Sequence, residues 1–141
     1  MTSSPTWPTI DHPHNPVADL LNQYGKSLQQ QYPSLDGRLT IILQDDKPEY
    51  VLSFYLISHK LRGYNIRLLT IEQPIDSSFP VTLTMHYKTY SSPPRLLDEA
   101  NFEPALRDEL ASPPIQNILN NLLALGNTVD EYRDDLNQSV G

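Results

Sequence analysis

The spacing of apolar residues changes period twice along this chain. Val17, Leu20, Leu21, Tyr24 and Leu28 recur at i, i+3, i+4, i+7 and i+11, one stripe at helical period. Asn15-Pro16 precedes the stripe as an N-cap followed by proline at the first helical position. Gly25 falls inside it and costs about 1 kcal/mol relative to alanine, so tertiary packing must hold this helix. Pro33 and Asp36-Gly37 predict its end.

From Arg38 to Lys88 the period shortens to two. Leu39, Ile41 and Leu43 alternate with Arg38, Thr40, Ile42 and Gln44. The turn Asp45-Asp46-Lys47-Pro48 leads to a second strand, Glu49 to His59, and Lys60-Leu61-Arg62-Gly63 to a third, Tyr64 to Gln73. A fourth alternates Val81, Leu83, Met85 and Tyr87 with Thr82, Thr84, His86 and Lys88. Short connections between successive strands predict an antiparallel meander.

Helical spacing then returns. Asn101 is placed to cap a helix carrying Phe102, Leu106 and Leu110. Ser112 precedes another with Pro113 and Pro114 in its first turn and Ile115, Ile118, Leu119, Leu122 and Leu123 on one face; Gly126 is the expected stop. The fold class is therefore α+β: an N-terminal helix, a four-stranded antiparallel meander and two C-terminal helices. Residues 1–15, with three prolines, read as a flexible tail; 16–126 as one domain; 127–141 as an acidic tail or short helix.

Strands two and three carry more apolar residues than one face needs. Tyr50, Leu52, Phe54 and Leu56 share one face of strand two, and Val51, Ser53, Tyr55, Ile57 and His59 the other. Strict alternation divides strand three into Ile66, Leu68 and Thr70 against Arg67, Leu69 and Ile71. A single helical layer covers one face only. The second is then covered by helices straddling the sheet, by the 89–100 linker, by a second subunit, or by a partner. Ile42, Tyr55, Ile57, Arg67 and Leu69 are the candidate partner interface, with the aromatic and arginine content of interface hot spots. Tyr50, Phe54, Met85 and Tyr87 are candidates to line a small-molecule pocket between sheet and helices.

Charge is uneven. Residues 38–88 hold six bases and five acids, while residues 89–141 hold nine acids against Arg95, Arg107 and Arg133, and the whole chain carries −7. This balance disfavours phosphate backbones and anionic membranes as partners. The run Asp130-Glu131-Tyr132-Arg133-Asp134-Asp135 reads either as a solvated surface or as a device that steers a basic partner.

Candidate chemistry is sparse. There are no cysteines, no phosphate-cradling glycine loop, no nucleophile elbow and no His-Glu-x-x-His. Asp11-His12-Pro13-His14 holds metal-ligating residue types, but in a segment read as unfolded. His59 and His86, with Glu72, are the only acid/base candidates within the strands. No catalytic, cofactor or metal site is assigned. The opening residues lack a secretory pattern and no apolar run is long enough to span a bilayer, so the expectation is a soluble cytoplasmic protein. Composition, though no motif, is shared with immunity proteins of toxin systems and with secretion chaperones. The functional expectation is a non-enzymatic protein-binding module that neutralises or escorts a basic partner, or pairs with itself through the second sheet face. The alternatives are a small-molecule binding domain and a His/carboxylate enzyme.

Overall fold

A computed structural model describes residues 5–10, 14–87 and 89–140, with side chains in the last helix described to residue 133. The class is α+β. Helix α1 (Pro16–Gln31) leads into strands β1 (Leu35–Leu43), β2 (Glu49–Ser58), β3 (Tyr64–Pro74), β4 (Val81–Met85) and β5 (Arg95–Leu97), followed by helices α2 (Glu99–Leu110) and α3 (Pro113–Val140). The strands form one antiparallel sheet in chain order. Among the described residues it has five strands, not four. The 89–100 linker supplies the fifth, which pairs Val81 with Leu97 and Leu83 with Arg95 instead of folding over the sheet.

All three helices pack on one face. The buried strand residues of the core are Leu35, Leu52, Phe54, Leu56, Leu69, Ile71, Val81, Leu83, Met85 and Leu97, which share one side of the pleat, together with Leu68 at a bulge. Val17, Ala18 and Leu21 of α1, Phe102, Ala105 and Leu106 of α2, and Ile115 of α3 join the same cluster. The helices therefore do not straddle the sheet.

Gly25 and Gly37 explain each other. A Cβ on Gly25 would stand 3.0 Å from the Gly37 carbonyl oxygen, and one on Gly37 would stand 2.7 Å from Gly25 Cα and 2.5 Å from Phe54 Cζ. α1 thus crosses β1 at near backbone contact, and the Phe54 ring edge fills the space a side chain at 37 would need. Asp36-Gly37, expected as a turn, lies inside β1 because that contact needs the glycine there.

The helix termini differ from expectation in two places. Asn15 caps α1 as read, its Oδ1 accepting from the Val17 and Ala18 amides. α2 is capped by Asp98, whose Oδ1 accepts from the Asn101 amide at 3.0 Å, so Asn101 sits inside the first turn. α3 continues through Gly126 to Val140. A Cβ on Gly126 would meet Lys60 Cδ at 3.2 Å, and Lys60 Nζ pairs with Asp130 Oδ2 at 2.7 Å. Gly126 seats the lysine stem of the β2–β3 hairpin against the helix and does not end it. In that hairpin Arg62 and Gly63 take positive φ, 59° and 74°. No helix among the described residues is long and apolar enough to cross a membrane.

Candidate functional site

The sheet face away from the helices is the candidate site. Cross-strand pairing arranges it in rows: Asp36–Ile57–Asn65, Arg38–Tyr55–Arg67, Thr40–Ser53–Thr70–Thr84, and Ile42–Val51–Glu72–Thr82–Leu96. None of the described helices covers these rows. Ile42 is 64% exposed at one edge and Leu96 is exposed at the other. A shallow depression of about 280 Å³ opens between Arg38, Thr40, Tyr55, Ile57 and Asn65.

Four of the five candidate interface residues share this face, and Leu69 does not. The β2–β3 register shifts between Phe54, opposite Leu69, and Tyr55, opposite Arg67. Leu68 is the extra residue of this bulge, and both leucines turn toward the helices, with Leu69 at 0% exposure. Strict alternation across strand three fails at this point. The open face consequently gains Arg67, Thr70 and Glu72 from β3 and no aliphatic side chain. It is less apolar than alternation predicts. Ile57 is only 5% exposed although no helix covers it, so it is packed into its own face, and a charge there would disturb the fold.

Its charge is also distinctive. Arg38 and Arg67 flank Tyr55 in one row, about 10 Å apart across two strand spacings. His86 continues this end of the face. Its Nε2 is hydrogen-bonded with Thr70 Oγ1 at 3.0 Å and its Nδ1 with Ser91 Oγ at 2.9 Å. Burial, and then the Arg67 guanidinium, hold its pKa below the ordinary histidine value. The acids Asp98, Glu99, Glu103, Asp108, Glu109, Asp130 and Glu131 belong to α2, its cap and α3, on the other side of the sheet.

The acid/base constellation does not assemble. Both ring nitrogens of His86 meet hydroxyls, and the carboxylate beside His59 is Asp36, at 4.0 Å. Glu72 lies on the open face between Val51 and Thr82. His14 pairs with Asp19 at 2.9 Å, while Asp11, His12 and Pro13 lie outside the described residues, as does Lys88. Among the described residues there is no group of three His, Asp or Glu side chains placed to hold a metal ion.

The four pocket candidates are also separated. Phe54 and Met85 are buried core, both flanking Leu69. Tyr50 lies at a shallow surface depression with His14, Asn15 and Gln73. The Tyr87 hydroxyl donates to Glu109 Oε2 at 3.0 Å, and its pKa is raised by burial and by that carboxylate. An apolar groove of about 360 Å³ that sequence reasoning did not reach lies elsewhere, between Tyr64 and Ile66 of β3 and Ile118, Leu122 and Leu125 of α3. Its signal was available only in part, since the α3 stripe is legible but the residues it faces depend on the register. No protein-family model matches this chain, and no curated protein or solved structure matches it either.

Proposed function

We propose that this chain is a non-enzymatic protein-binding module whose open sheet face docks an acidic segment of a partner protein. The observation that carries the reading is the row Arg38–Tyr55–Arg67 on a sheet face that no described helix covers. Tyrosine beside arginine is the composition of interface hot spots, and guanidinium forks take carboxylates bidentately. Val51 and Ile42, in the row beyond Thr40–Ser53–Thr70, offer apolar contact for an anchor side chain.

The helical side supports the same partner chemistry by exclusion. Its acids repel an acidic segment, which leaves the open face as the favourable approach. The basic partner expected from net charge would have to dock on α2 and α3. The open face, with Arg38 and Arg67 together in one row, suits the opposite charge at that row.

A peptide-display selection against the full chain tests this reading. Enriched sequences should carry Asp or Glu beside an aromatic or aliphatic residue, and their binding should weaken as salt rises. Tyr55→Ala with Arg67→Glu should reduce binding at least about 30-fold, the size of one hot spot, with an unchanged urea midpoint. Enrichment of Lys/Arg-rich peptides, or binding indifferent to the double substitution, would contradict it.

A further inference from the structure

The outer edge of β1 carries a different signal from the open face. β1 is an edge strand. Gln44 N–H donates to Glu49 O at 3.0 Å and His59 N–H to Ser34 O at 2.9 Å, at the two ends of a β1–β2 register that runs unbroken from Leu35 to Leu43. Even-numbered residues therefore turn their backbone groups to β2. Leu39, Ile41 and Leu43 turn theirs outward.

Proteins ordinarily blunt such an edge with a charge, a proline, a bulge or a covering element. α1 approaches this strand at Gly37, toward its other end. Ile41, Ile42 and Leu43 are three consecutive large aliphatics, exposed at 51%, 64% and 51%, so the corner is open on both faces of the sheet. Arg38 is the only charged residue from Gly37 to Gln44.

We propose that two copies of this chain pair antiparallel through β1, about a two-fold axis at Ile42, to form one continuous sheet. The segment is self-complementary in that register. Ile41 faces Leu43 of the second copy as a hydrogen-bonded pair, using the outward backbone groups of both. Ile42 meets its own counterpart as a non-hydrogen-bonded pair, where side chains stand closest. Arg38 of each copy comes alongside the Asp45-Asp46 turn of the other, so the charges are complementary and no like charges are opposed. α1 stays clear, because its crossing lies at Gly37. The open faces of the two copies would then adjoin across the axis.

Sedimentation velocity of the full chain, with single-cysteine crosslinking, tests the pairing. The chain has no cysteine of its own. Ile42→Cys should crosslink into a disulfide dimer under mild oxidation, since Cα atoms in such a pair stand about 4.5 Å apart, within disulfide reach. Thr40→Cys, which would face Gln44 of the second copy, should not. Ile42→Lys sets two ammonium groups against each other and should weaken the dimer about 30-fold or more. Ile42 is exposed, so neither change should disturb the fold. Tyr55→Ala with Arg67→Glu should leave the dimer intact, which separates this pairing from the docking of an acidic partner. A monomer at every concentration up to the solubility limit would overturn it. So would a dimer indifferent to Ile42→Lys, or equal crosslinking of Thr40→Cys and Ile42→Cys.

Discussion

The two faces of the sheet are made from the same strands and obey different rules. Toward the helices, Leu52, Phe54, Leu69, Ile71, Leu83 and Met85 form a continuous buried layer. Away from them, Thr40, Ser53, Thr70 and Thr84 form a polar row beside Arg38–Tyr55–Arg67. A core face tolerates neither a cavity nor an extra atom, because packing there is close to crystalline. A docking face can exchange side chains at little cost to folding, so what it carries is free to serve recognition. The residue that separates the two is Leu68, whose bulge turns Leu69 inward and leaves Arg67 outward.

The sharpest break in this comparison comes from two neighbouring positions. Leu69→Asp should cost about 5 kcal/mol or more, comparable with the whole stability of a domain of this size, because it buries an unpaired charge. Arg67→Asp should change stability by about 0.5 kcal/mol or less. Urea unfolding of the pair decides the matter, and similar losses at both positions would mean that the faces are not distinct.

Next in size is Gly37→Ala. Its Cβ would collide with the Phe54 ring and the Gly25 backbone, so overpacking of about 1–3 kcal/mol is expected. Arg38→Ala, one residue along on the open face, should be nearly silent in the same assay.

Asn15→Ala removes the α1 cap and should cost about 1 kcal/mol. It also removes a partner of Gln73, which is buried and otherwise donates to the Ser78 carbonyl. The loss should therefore exceed that of a cap alone, as thermal unfolding of Asn15→Ala against Asn15→Asp would show.

The smallest effect is on pH dependence. Burial and Arg67 favour neutral His86 in the folded chain. On acidification the unfolded chain takes up this proton first. The contribution to stability is thus complete above about pH 6.5 and is lost as pH falls through the lowered folded value. By NMR titration His86 should protonate below pH 6.5, and Arg67→Ala should move that midpoint upward. Burial, the larger cause, should keep it depressed. An unmoved midpoint would separate Arg67 from His86.

Much of this architecture is legible from residue spacing. The α1 stripe with its Asn15 cap, the Gly63 hairpin and the alternation of β4 all describe local chemistry, and local chemistry decides them. Three features are not local. β5 follows Pro93-Pro94 and is only three residues long, too short for alternation to register. Gly126 resembles a stop until Lys60 is seen to lie across it. Leu68-Leu69 reads as ordinary alternation, because two adjacent leucines give no sign of which pleat they will share. That last point decides the candidate site. Ile42, Tyr55, Ile57 and Arg67 fall on one face, while Leu69 moves to the other, and the face carries an Arg38–Tyr55–Arg67 row instead of being broadly apolar.

A chemical-shift titration of the full chain with an acidic peptide from the display selection tests the docking face most directly. Perturbations should concentrate on Arg38, Tyr55, Arg67 and His86, with Leu69 and the acids of α2 and α3 unmoved. Perturbations centred on Glu103, Glu109 and Asp130 would place recognition on the helical side and contradict the assignment of the open face as the binding surface.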